Sequence, residues 1–157
     1  MCRLLSFLLI AAGSTIALSP LLQAGASGAR VQYMGGTGAE LSQKVPGFIQ
    51  LGDEESLVFE CKGATIRVPY TNINALEYGQ KVDRRYVEAI LISPLLLLSK
   101  KRAHFLTIGY VDTEGHQQAL VFRVNSGDVR GLLVGLEAKS GRRIEYQDDE
   151  ARRSGRG

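Results

Sequence analysis

Two histidines, two cysteines and one run of carboxylates are the residues of this chain whose types can do chemistry. His104 and His116 can each serve as a metal ligand or a general base. Neither has a cysteine or histidine partner at metal-ligand spacing. His104 follows Lys100-Lys101-Arg102 at the start of an expected strand, and His116 follows Glu114-Gly115 in an expected turn. The plain reading is two surface side chains. Cys61 is in phase with Leu57 and Phe59, which suits a small buried hydrophobe better than a reactive thiolate. No G-x-S-x-G elbow is present. Asp148-Asp149-Glu150 reads as a solvated tail. Met34-Gly35-Gly36-Thr37-Gly38 has the glycines of a phosphate loop but no Gly-Lys-Ser/Thr after them. These patterns point away from an enzyme and from any metal or cofactor. An unrecognised hydrolase stays as the distant alternative.

One stretch stands out by composition. Ala89 to Ser99 is almost wholly apolar, with Arg84 and Arg85 before it and Lys100, Lys101 and Arg102 after it. It is too short to span a bilayer as a helix, which takes about 20 residues. Three readings follow. Leu95, Leu96, Leu97 and Leu98 can plug the open end of a barrel, as buried apolar runs do. With Pro94 setting a loop tip, residues 93–99 can instead meet an anionic membrane, each flanking cation adding ~1 kcal/mol near the surface. Or the leucines can dock on a protein partner, a second copy of the chain included.

The ends of the chain set its compartment. Residues 4–29 carry no charge, Arg3 supplies a positive start, and Leu4 to Leu18 is mostly apolar. Pro20 ends any helix, and Ala24-Gly25-Ala26 has the small residues of a signal-peptidase site. The expectation is a signal peptide over 1–26, cleaved after Ala26, and an exported protein. The alternative is an uncleaved anchor over residues 4–22. The whole chain carries +3; removing Arg3 leaves +2, too little to argue for nucleic acid. Cys2 leaves with the leader, so Cys61 has no partner for an internal disulfide and the domain relies on its core.

The elements come from periodicity. Residues 27–45, with their glycines and no apolar period, read as a flexible linker. From Pro46 the period is two. Phe48, Ile49 and Leu51 form one strand, Leu57, Phe59 and Cys61 a second, and Ile66, Val68 and Tyr70 a third that closes a hairpin at Lys62-Gly63-Ala64. Pro69 cannot donate to a ladder and marks an edge or bulge. Thr71 to Lys81 holds a turn and then a strand, and Arg84 to Ile92 another strand. Leu106, Ile108 and Tyr110, then Leu120, Phe122 and Val124, flank Asp112-Thr113-Glu114-Gly115 as the sharpest hairpin. A helix follows. Asn125 or Ser126 caps it, Val129, Leu132, Leu133 and Leu136 share a face, and Gly141 stops it. Ile144 and Tyr146 add a short extension. Residues 147–157 read as a disordered tail.

A β-meander closed by one C-terminal helix resembles the pleckstrin-homology-like superfold. Local strings resemble PH-like or GRAM-like domains of exported bacterial proteins: Ile66-Arg67-Val68-Pro69-Tyr70, Leu76-Glu77-Tyr78-Gly79-Gln80-Lys81, His104-Phe105-Leu106-Thr107-Ile108-Gly109-Tyr110 and Leu136-Glu137-Ala138-Lys139-Ser140-Gly141. The resemblance covers about residues 46–146. It implies a bent antiparallel barrel or roll of about seven strands, capped by the helix. It implies binding more often than catalysis, though a superfold does not fix function. Phosphoinositide-binding members carry basic residues in the first inter-strand loop. This chain has Gly52-Asp53-Glu54-Glu55 there, so no lipid-site residue carries over. The sequence reading is therefore a mainly β, non-catalytic interaction module of the cell envelope that binds a protein, with membrane binding through residues 93–99 as the alternative.

Overall fold

Alternating apolar residues build most of the sheet. The computed structural model describes residues 28–37, 41–80, 103–147 and 149–156. The strands are β1 (Ala29–Gly36), β2 (Val45–Gln50), β3 (Ser56–Cys61), β4 (Ala64–Pro69), β5 (Ile73–Gly79), β6 (His104–Val111), β7 (Gln117–Val124) and β8 (Ile144–Tyr146). A 3-10 turn, Tyr70–Asn72, leads into β5. Helix α1 (Val129–Ser140) follows β7, and a short helix α2 (Asp149–Arg156) follows β8. The strands form one sheet in the order β4-β3-β2-β1-β7-β6-β5-β8. The signal peptide expected over 1–26 and the strand expected over 84–92 lie outside the described residues.

The mainly β class with a C-terminal helix is what the sequence predicts, but the closed antiparallel form is not. The sheet is mixed, because β8 runs parallel to β5, and β4 and β8 end it instead of joining. It is nevertheless strongly curved. Phe59 on β3 and Phe122 on β7 are three strand spacings apart, ~14 Å in a flat sheet. Their ring centroids lie 5.0 Å apart, so the sheet curls to bring them together. Tyr33 on β1 stands against both rings, at 6.1 and 5.9 Å.

The linker expected over 27–45 is corrected by β1, which lies between β2 and β7 and joins the β1–β4 and β5–β7 meanders. The pairing explains why it is a strand. Val31 and Tyr33 are buried in the core, and the register shifts by a bulge between Tyr33 and Gly35. At Gly36 a Cβ would stand 2.8 Å from the Ala119 carbonyl and 2.7 Å from the Tyr33 hydroxyl, so glycine permits the close approach. The residues that read as a loop are those that let β1 slot in.

Helix α1 lays Val129, Leu132, Leu133 and Leu136 onto the curved face, all buried. Their burial contributes roughly 6–12 kcal/mol before conformational entropy is counted. Gly141, at φ 67°, stops the helix, and its N–H donates to the Glu137 carbonyl at 3.0 Å. The cap differs from expectation. Asp128, not Asn125 or Ser126, precedes Val129, and its carboxylate makes no cap bond. The reason is a tertiary competitor, because Asp128 accepts from the Arg30 backbone N–H instead. Asn125 holds the preceding turn, its Oδ1 accepting from the Gly127 N–H at 3.1 Å.

Past Gly141 the chain returns to β5 as β8, pinned by the Ile144 N–H donating to Glu137 Oε1 at 2.9 Å. The disordered tail expected over 147–157 is corrected over its described part. Helix α2 buries Ala151, and a Cβ on Gly155 would stand 2.7 Å from the Tyr146 ring. On the opposite face of the sheet, Val121, Thr107 and Glu77 lie side by side across β7, β6 and β5 and are also buried.

Candidate functional site

The contact residues read from the sequence, Arg84, Arg85, Leu95, Leu96, Leu97, Leu98, Lys100, Lys101 and Arg102, all lie outside the described residues. The two histidines stand at opposite ends of the β6–β7 hairpin and do not converge. His116 is in the turn, with Nδ1 3.5 Å from an Asp112 carboxylate oxygen and 3.4 Å from one of Glu114. Asp112 organises that turn by accepting from the Glu114 and His116 backbone N–H groups and from the Gln118 amide. The Gln118 bond first, then the His116 N–H, hold its carboxyl below the usual range. Asp53 does the same between β2 and β3, where the Glu55 and Ser56 N–H groups lower its pKa.

His104 is not the plain surface residue expected. It is half-buried at the start of β6, its ring stacks on Tyr78 within 5°, and Nδ1 shares a 2.6 Å hydrogen bond with the Tyr78 hydroxyl. Burial first, and the Arg123 guanidinium second, hold its imidazole below the usual 6.5. Cys61 is also less deep than expected. It is half-buried at the end of β3, its thiol 3.4 Å from the Ala64 carbonyl. Among the described residues no three His, Cys, Asp or Glu side chains group closely enough to hold a metal.

Two clefts open where β1 begins. The first, about 390 Å³, is polar and lined by Arg30, Gln32, His104, Arg123, Asn125 and Ser126. The second, about 370 Å³, is apolar and floored by glycines, with Ile49, Leu51 and Leu132 beside Gly28, Gly127 and Gly131. Between them stands one ion pair. The Arg30 N–H donates to Asp128 Oδ2 at 3.0 Å, and its Nε lies 3.5 Å from the same oxygen. Arg30 lines the polar cleft and Asp128 the apolar one. The Asn125 N–H donates back to the Arg30 carbonyl at 3.0 Å, so the turn before α1 is tied to β1 on both sides.

The charge in the polar cleft is unbalanced. Asp128 neutralises Arg30, but Arg123 has no ion pair among the described residues. Arg123 is exposed on β7, opposite Gln32 of β1 and Phe105 of β6. A guanidinium, the Asn125 amide and the Ser126 hydroxyl are groups that can donate to a carboxylate or phosphate. No hydrogen bond joins Ser126 to His104, and His104 Nδ1 faces a phenol, not a carboxylate. The relay that activates a serine nucleophile is therefore not assembled among these residues.

The sequence carries faint marks of this site. Arg30 is the first charge after the uncharged run, and Arg123 interrupts Ala119 to Val124 as a cation out of phase with Leu120 and Phe122. Nothing in the linear pattern brings the two together, because their meeting depends on β1 pairing with β7. Comparison of the chain with protein-family models and with curated proteins finds no match.

Proposed function

We propose that the protein is a non-catalytic interaction module of the cell envelope that binds a protein partner at the start of β1. One observation carries this reading: a polar cleft and an apolar cleft lie side by side across the Arg30–Asp128 pair. Each has the volume of a pocket that takes a side chain or small ligand, ~300–1,000 Å³. An apolar subsite beside a hydrogen-bonding one is the arrangement that gives a polypeptide both affinity and register. The resemblance to pleckstrin-homology-like domains supports binding over chemistry, and the uncharged run over residues 4–29, with Ala24-Gly25-Ala26 within it, supports export.

The test uses position 131, where an added side chain meets open space. A photo-crosslinking residue there is expected to trap a protein from the native envelope fraction, while one at exposed Lys62, on the β3–β4 turn, traps none. Adducts that are the same from both positions, or none from either, would refute the reading. N-terminal sequencing of the product checks export independently, with Ser27 expected as the first residue.

A further inference from the structure

The paired clefts also indicate what kind of segment they receive. Resting on the reading above, we infer that they bind an acidic–aliphatic peptide, its carboxylate on Arg123 and its aliphatic side chain in the glycine-floored cleft. The argument starts from charge. Arg30 and Arg123 both line the polar cleft, and Asp128 satisfies Arg30 alone. A guanidinium without a carboxylate partner among the described residues, exposed on β7 between Gln32 of β1 and Phe105 of β6, is complementary to an anion.

The anion has further donors waiting. Asn125, whose Oδ1 accepts from the Gly127 N–H, lines the cleft, and so does Ser126, whose hydroxyl has no partner among the described residues. Burial, and then the Arg123 guanidinium, disfavour a proton on His104, which leaves Arg30 and Arg123 as the standing cations of the lining among the described residues. With Arg30 already paired, one arginine of the lining is left among the described residues to balance a ligand, which suits a singly charged carboxylate better than a phosphate.

The neighbouring cleft selects the second element. Its walls are Ile49, Leu51 and Leu132, and two of its glycines, Gly127 and Gly131, leave room a side chain can fill. A Cβ on Gly131 would meet nothing within 4 Å, and one on Gly127 only the Asn125 side chain at 3.8 Å. An aliphatic side chain entering there packs on these walls and is removed from water. Asp128 stands at the rim and disfavours a second acidic side chain in this cleft, so the order of the ligand is set: acid on one side of the Arg30–Asp128 pair, aliphatic on the other.

The experiment measures fluorescence anisotropy of the purified chain with labelled nine-residue peptides carrying one Glu and one Leu, two, three or four residues apart in an otherwise Gly/Ser sequence. At least one spacing is expected to bind. Replacing its Glu by Gln, or using the Arg123→Glu protein, is expected to weaken binding about tenfold or more. A peptide with Lys in place of Glu is expected to recover binding to Arg123→Glu. Gly131→Leu is expected to erase the difference between the Leu peptide and its Ala analogue. Failure of every spacing, or binding indifferent to Arg123→Glu, overturns the acidic–aliphatic assignment. Arg123-dependent binding of inorganic phosphate or of phosphatidylglycerol vesicles in preference to peptide overturns it as well. None of these outcomes touches the crosslinking at position 131, so the broader reading is judged separately.

Discussion

Arg30 and Asp128, 98 residues apart in sequence, meet twice at one carboxylate oxygen: through the Arg30 backbone N–H at 3.0 Å and through Nε at 3.5 Å. The backbone bond is the stronger half of this relationship. The Arg30 side chain is two-thirds exposed, and exposed ion pairs contribute ~0–1 kcal/mol. Asp128→Ala is therefore expected to destabilise the protein by about 1–2 kcal/mol, mostly by orphaning the N–H. Asp128→Asn keeps an acceptor and is expected to cost less than half as much. Urea unfolding of both variants checks the ranking. Equal costs would assign the stability to the charge instead.

Phe59 and Phe122 measure the curl of the sheet. Phe122→Ala is expected to cost about 3–5 kcal/mol, as large core truncations do. Because the two rings touch across three strand spacings, a double-mutant cycle between Phe59→Leu and Phe122→Leu is expected to show a coupling of ~0.5–1.5 kcal/mol. Strict additivity would mean the sheet is flatter than described.

Tyr70 is buried, and its hydroxyl is the single buried side-chain polar atom without a hydrogen-bond partner among the described residues. Burial raises its pKa, so it stays neutral. Tyr70→Phe removes an unsatisfied group and keeps the ring. It is expected to raise stability by up to about 1 kcal/mol, read by thermal and urea unfolding together. A loss of more than 1 kcal/mol would show that the hydroxyl has a partner.

Two glycines are expected to respond in opposite directions. Gly131 sits inside α1 with open space at its Cβ position, and Gly131→Ala is expected to stabilise by ~1 kcal/mol through helix propensity. Gly36→Ala drives a methyl against the Ala119 carbonyl and the Tyr33 hydroxyl and is expected to cost about 1–3 kcal/mol. Parallel melting curves separate the two.

The lowered pKa of His104 fixes the sign of one pH effect. The unfolded chain binds the proton near the ordinary 6.5, while the folded chain resists it. Stability from this group is thus full above 6.5 and falls as the pH drops below it. Unfolding free energies at pH 7.5 and 5.5 are expected to differ more for the wild type than for His104→Asn. The carboxylates of Asp53 and Asp112, whose pKa values are also lowered, lose their contribution at lower pH, beneath the usual 3.8.

The legible part of the fold is where period-two alternation was unbroken. Leu57 and Phe59, Ile66 and Val68, and the Leu106 to Val124 hairpin form the expected strands, and Val129 to Leu136 the expected helix face. β1 was hidden because Gly35 and Gly36 look like a loop until the Ala119 carbonyl and Tyr33 hydroxyl are beside them. β8 was legible as an extension at Ile144 and Tyr146, but its parallel partner β5 was not, because a three-residue strand borrows its direction from the helix before it. The clefts left the weakest trace. Gly127, in the turn before α1, and Gly131, within it, are silent in the apolar pattern, and Arg123 gains meaning from Arg30, which is distant in the chain.

The central position of β1 has a consequence for how the molecule comes into being. Its neighbours are β2, close by, and β7, which follows all of β2 to β6 in the chain. The β1–β4 and β5–β7 meanders can each form from pairings nearer in sequence, but they remain separate ribbons until β1 pairs with β7, a long loop closure with an entropic cost. The pairing of β1 with β7 is therefore the step that turns two separate ribbons into one sheet.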